Sequence, residues 1–244
     1  MTIAHSTQSV FSQQQNENWL PPDNPQLLLL RNWQIQRLSH TYAEFKASSR
    51  YNLAADFFLN DIYSPIGFSD RHHEIDHIYN LMRRILPEKM LKAIAATVEL
   101  YNLTEEVDQK LVRILIDKVG MTNILTVDMY ATGYRACDNY VERVRQLDLI
   151  VKAGVGVEGI TNIPLVATTI RISRIPARLA GWADIHGFLE RGLEAFRRAK
   201  DSRPFFESIH EHEMQALDNM FSSKPDPFGF GLDETLVFAI SDFC

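Results

Sequence analysis

Cysteine is nearly absent from this chain: Cys137 and Cys244 are the only two in 244 residues. They stand far apart and form neither a metal-ligand nor a redox spacing, so the expected compartment is a reducing cytoplasm. An excess of positive charge is missing as well. The formal net charge of −6 argues against a protein built to coat nucleic acid or an anionic membrane. Residues 1–24 contain no apolar signal core, and no run approaches the ~18 apolar residues of a membrane span. Strand-type alternation and fixed-period repeats are absent, which counts against an α/β architecture. No helix-turn-helix opens the chain, and no local context singles out a Ser-His-Asp or Cys-His set.

What remains is helix after helix. Residues 1–24, rich in Gln, Asn and Ser and closed by Pro21-Pro22, read as a disordered arm. From Pro25, the apolar positions Leu28, Ile35, Leu38, Tyr42 and Phe45 recur every three or four residues and define a helical face. Further helices are expected over about 51–63, over 69–87 with Ser69 as cap, from Met90 to Tyr101, and from a Thr104 cap to a Gly120 stop. A long helix over 126–153 carries a heptad-like seam of Val127, Tyr130, Tyr134, Cys137, Val141 and Val144. A glycine-broken loop over 154–162 follows, then a Pro164-led helix interrupted near Pro176. Ile185, Phe188, Leu189, Leu193 and Phe196 mark the next face, in which Gly192 admits a close neighbour, and 205–221 forms the last long helix. The tail 222–244 is irregular, and its apolar end docks on the domain. The expectation is a single all-α domain of about eight helices spanning 25–221.

One segment carries a resemblance. Phe57-Phe58-Leu59-Asn60-Asp61-Ile62-Tyr63-Ser64-Pro65-Ile66-Gly67-Phe68-Ser69-Asp70-Arg71, with Trp33 to Tyr51 before it and Leu86-Pro87 after it, resembles an uncharacterised family of bacterial all-helical proteins. The resemblance implies a helical fold and assigns no catalytic residue.

Two motif-like patterns need weighing. Gly154-Val155-Gly156-Val157-Glu158-Gly159 matches G-x-G-x-x-G, but the helix signals Thr161, Asn162 and Pro164 come too late for amides to meet a pyrophosphate. No acidic residue stands about 20 positions on, so a plain interhelical loop is the reading. Glu74-x-x-His77 and Glu207-x-x-His210 have the spacing that di-iron bundles use. A bundle-core metal needs both members of each pair inward, whereas His77 and Glu207 lie about 120° from the centres of their apolar faces. An iron- or haem-dependent oxidase or oxygenase is therefore the alternative and not the leading function.

Helical phase also exposes two misplaced carboxylates. Glu213 falls at the centre of the face made by Phe206, Ile209, Ala216, Leu217 and Met220, and Asp148 continues the Tyr134–Val144 seam. A buried carboxylate must be paired, hydrogen-bonded or protonated. His210 is one turn from Glu213, and Tyr130 and Tyr134 offer hydroxyls. These five form either a structural polar network or a ligand pocket. Arg171, Arg174 and Arg178 read as a charged outer face, or as a site for a phosphate or an acidic partner. Leu27-Leu28-Leu29-Leu30 surround their helix, an apolar surplus that motivates a homodimer. The leading function is a non-enzymatic helical module, with no cofactor, that binds a partner protein or a small ligand.

Overall fold

The computed structural model describes residues 19–62, 88–161, 163–172, 174–179, 183–231 and 238–239. Helix α1 (Pro25–Thr41) starts on a side-chain cap. The Asn24 carbonyl accepts from the backbone N–H groups of Gln26 and Leu27, both at 3.1 Å, while Pro25 takes the position whose N–H has no helical partner. Leu27, Leu29, Leu30, Trp33 and Leu38 are each at most 1% exposed, and Leu28 is half-buried. One chain therefore buries three of the four leucines, which removes most of the apolar surplus that motivated a homodimer.

Helix α2 (Ala43–Ala47) and α3 (Asn52–Phe57) are short, and α3 runs on as a π-helical turn, Phe58–Ile62. The helix expected over 69–87 lies outside the described residues. Helix α4 (Glu88–Ile114) is continuous where two helices, Met90 to Tyr101 and Thr104 to Gly120, are expected. Thr104 does not cap there; its hydroxyl accepts from Gln146 Nε2 at 2.8 Å. The expected stop is present: a π-helical turn, Leu115–Val119, ends at Gly120 with φ +80°, a conformation that favours glycine.

The long helix expected over 126–153 is two helices, α5 (Val127–Cys137) and α6 (Tyr140–Thr161). Thr126 caps α5 through a 3.2 Å bond from the Met129 N–H. Asp138, with φ +49°, breaks the chain in the left-handed region, which Asp tolerates better than most residues. Helix α6 then runs straight through the glycine pattern, so 154–161 is neither a dinucleotide loop nor an interhelical loop. A Cβ on Gly154 would lie 2.3 Å from the Phe206 ring. That glycine is a contact surface for a crossing helix.

Helices α7 (Pro164–Ile172), α8 (Arg174–Leu179), α9 (Ala183–Ala199) and α10 (Arg203–Phe221) complete the described helices. Helix α7 is described to Ile172 and α8 from Arg174. Pro176 sits in the first turn of α8, where a missing N–H is tolerated. At the start of α10, the N–H and hydroxyl of Ser202 both donate to Glu158 Oε2, at 3.2 and 2.7 Å. The carboxylate thereby satisfies a buried helix N-terminus.

Helix α6 is the spine, packed on α4, α9 and α10, while α1 lies against α4. Antiparallel pairing of β1 (Ile124–Leu125) with β2 (Phe238–Ala239) ties down the tail. Phe228 also packs there, its ring 5.9 Å from Trp33 and 6.2 Å from Tyr130. At the other end, the Leu20 N–H and C=O bond the Gln109 amide at 2.9 and 3.0 Å. Leu20, within the stretch that composition assigned to the arm, is thus held against α4. No helix among the described residues is long and apolar enough to cross a membrane.

Candidate functional site: a charged chamber beside an open groove

Charged and hydroxylated side chains from five helices meet inside the core. Helix α1 supplies Gln34 and Arg37, α4 Asp108, α5 Tyr130 and Tyr134, α6 Arg143 and Gln146, and α10 Glu213. Seven of them, all but Asp108, line one small cavity. Glu213 Oε1 accepts from Arg37 Nη1 at 2.5 Å and from the Tyr42 hydroxyl at 2.9 Å. The two charged side chains are 12% and 6% exposed. A partner from another helix is what the wheel position of Glu213 demands, and it is Arg37 and not His210. Burial pulls the Arg37 guanidinium toward neutrality; the facing Glu213 carboxylate and their hydrogen bond outweigh it, so Arg37 keeps its proton more firmly than usual.

Arg143 is held differently. Its Nη1 donates to Gln146 Oε1 at 3.1 Å and its Nη2 to the Val107 carbonyl at 3.3 Å. Its guanidinium also lies 4.3 Å from the centroid of the Tyr134 ring, a cation–π arrangement. The nearest carboxylate oxygen, Asp108 Oδ1, is 3.7 Å away. That Asp108 oxygen accepts instead from Gln34 Nε2 at 3.2 Å. Burial pushes the Asp108 carboxyl above its ordinary 3.8, against the pull of Arg143 and Arg31. The folded chain thus holds a proton that the unfolded chain releases in the window just above pH 3.8, and stability falls as pH rises through that window. Asp108→Asn keeps an acceptor for Gln34 and removes this component. Urea unfolding from pH 4 to 7 should show a shallower loss in the variant than in the parent; equal slopes would refute it.

Tyr130 and Tyr134 share a 2.9 Å hydroxyl–hydroxyl bond, and Trp33 stacks on Tyr130 with centroids 4.2 Å apart. Burial raises both phenols above their usual range, so both stay protonated at neutral pH and act as hydrogen-bond donors.

The remaining expected site residues lie elsewhere. His210 Nε2 is 3.0 Å from Asp148 Oδ1, with side chains 31% and 65% exposed. Asp148 is not a core position. The α5–α6 break resets the helical phase, which also leaves Val141 76% exposed. His210 and Asp148 stand at a separate open groove of about 670 Å³. Its floor is Ala96, Val151, Val155 and Gly156, and its rim includes Lys92, Lys152, Arg203, Glu207 and Glu211. Glu207 is 54% exposed and faces Arg203 at 3.9 Å. It therefore points outward, where a bundle-core metal ligand would point inward. Glu74 and His77 lie outside the described residues. Among the described residues no three His, Cys, Asp or Glu side chains are grouped to hold a metal ion. Arg171, Arg174 and Arg178 are exposed, and Arg174 is 3.8 Å from Glu190.

The sequence reading missed Gln34, Arg37, Asp108, Arg143 and Gln146. A signal was available for Arg37: it stands four residues after Trp33 and seven after Leu30, on a face that its neighbours bury. Compared with known families, residues 12–227 match one described as a domain of unknown function, DUF8198. The chain belongs to that family. Membership in DUF8198 agrees with the uncharacterised family expected from the Phe57–Arg71 segment, and every chamber and groove residue falls within the DUF8198 span. No curated protein and no solved structure matches the chain.

Proposed function

We propose that this DUF8198 chain is a non-enzymatic, cytoplasmic helical module whose groove receives an amphipathic helix of a partner protein. The observation that carries this reading is the groove of about 670 Å³ between α4, α6 and α10, with a floor of small aliphatic residues from α4 and α6. Groove residues on α6 recur at 148, 151, 152, 155 and 156, and on α10 at 203, 207, 210 and 211. Each set covers about two turns, or roughly 12 Å at 1.5 Å per residue. Such a trough suits the apolar stripe of a visiting helix. Charges of both signs on the rim, Lys92, Lys152 and Arg203 against Asp148, Glu207 and Glu211, would fix its register and direction. No Ser, Thr or Cys stands beside His210 among the residues lining the groove, which favours binding over hydrolysis. Cys137, buried and free, accords with a reducing compartment. The alternative, an iron- or haem-dependent oxidase, draws no support from the outward-facing Glu207.

Replacing Val155 by a benzophenone-bearing phenylalanine and irradiating the producing cells tests the reading. Discrete crosslinked products are expected at Val155 and not at the solvent-facing control Val141, and Ala96→Glu should suppress them. A product of twice the chain mass would identify the occupant as a second copy and overturn the choice of a different protein. Labelling at Val155 no greater than at Val141 would refute the groove itself.

A further inference from the structure

The chamber holds more hydrogen-bond donors than acceptors. Gln34, Arg37 and Arg143 are 3%, 5% and 3% exposed, and all three line the cavity. Yet Arg37 Nε, Arg143 Nε and Gln34 Oε1 have no hydrogen-bond partner. The hydroxyl pair Tyr130–Tyr134 adds to the imbalance. One of its two hydrogens lies between the oxygens, and the other has no acceptor among the described residues. Three donors are thus left against one acceptor. Buried polar groups are paired in the great majority of cases, and an unpaired one signals water, an ion or a ligand.

Charge points the same way. Arg37 has its carboxylate at 2.5 Å, but Arg143 contacts an amide oxygen, a backbone carbonyl and an aromatic face, with Asp108 only at 3.7 Å. A buried guanidinium matched mainly to neutral acceptors is a costly arrangement.

We infer that the chamber binds one small monovalent carboxylate anion, of the size of formate, against Arg143. The cavity has a volume of about 30 Å³, room for about two waters at roughly 10–15 Å³ each. Two water-sized positions match the two oxygens of a carboxylate. A carboxylate's acceptors answer the leftover donors, while the C–H edge of formate suits the side of Gln34 Oε1. This site is independent of the groove: its residues come from α1, α5, α6 and α10, and none of them lines the groove.

The test uses the full chain in chloride-free buffer, titrated with sodium formate and followed by NMR of the arginine Nε–H groups. The Arg143 Nε–H resonance is expected to shift saturably, with one formate bound per chain. Arg143→Lys keeps the charge but loses the planar fork and its Nε–H. It should weaken formate binding, read from the linewidth of ¹³C-formate, by about tenfold or more. A shift linear in formate, or no shift in the unmodified chain, would overturn the inference whether or not the variant folds. Equal ¹³C-formate broadening by the parent and a folded Arg143→Lys variant would overturn it too, leaving the chamber to water.

Discussion

Glu213→Ala should lower the unfolding free energy by about 3–4 kcal/mol. Removing one member of a buried ion pair leaves the other charged, desolvated and unmatched, and Arg37 is only 6% exposed in its side chain. The Tyr42 hydroxyl loses an acceptor at the same stroke, although the Ile209 carbonyl at 3.3 Å remains. Glu213→Gln should cost less, because an amide oxygen still accepts from both partners while the charge match is lost. The double variant Arg37→Met with Glu213→Leu should be far milder than the sum of the singles, since replacing a whole buried pair by apolar groups is often neutral. Chemical unfolding of the parent, Glu213→Ala, Glu213→Gln, Arg37→Met, Glu213→Leu and the double variant decides the matter. Additive single and double variants would show that the pair is not the source of the effect.

Gly154→Ala should destabilise by about 2 kcal/mol, although alanine is the better helix former by about 1 kcal/mol. The added methyl would fall 2.3 Å from the Phe206 ring. Phe206 is 1% exposed, with the Phe196 ring 5.6 Å and the Phe205 ring 5.1 Å away, so the ring has no free space to enter. Helices α6 and α10 must separate instead. Because Phe206→Leu removes the obstructing ring, Gly154→Ala should be much better tolerated in that background. A neutral or stabilising Gly154→Ala in the parent chain, judged by melting temperature, would show that α10 does not approach α6 at this point.

The sequence was most legible where local chemistry decides. Asn24 with Pro25, Thr126 and Gly120 act at helix ends through groups within a few residues, whereas the expected Ser69 cap lies outside the described residues and the expected Thr104 cap fails. It fails because nothing near Asn102 and Leu103 stops a helix, so α4 continues. Glycine misled for a physical reason: at 154 it serves close packing between helices, which depends on a residue fifty positions away and leaves no local trace. The carboxylates divided along the same line. Glu213 sits within an uninterrupted α10, so wheel phase located it correctly. Asp148 was placed by counting through Asp138, and one turn of the wrong phase carried it from the surface into an imagined core. Arg37 and Arg143 escaped notice because long basic side chains on an apolar face pass for snorkelling ones. Only their partners on other helices show that the charges stay inside.

A single backbone dihedral, the left-handed φ of Asp138, sets the geography of the interior. Were 127–161 one rod, Tyr134 and Arg143 would be separated by roughly 13 Å of helix at 1.5 Å per residue, too far for the ring to sit against the guanidinium. The bend at Asp138 brings them within 4.3 Å. The charged interior is therefore not a property of either helix but of the corner between them, and whatever straightens that corner dismantles the chamber without altering one residue of its lining.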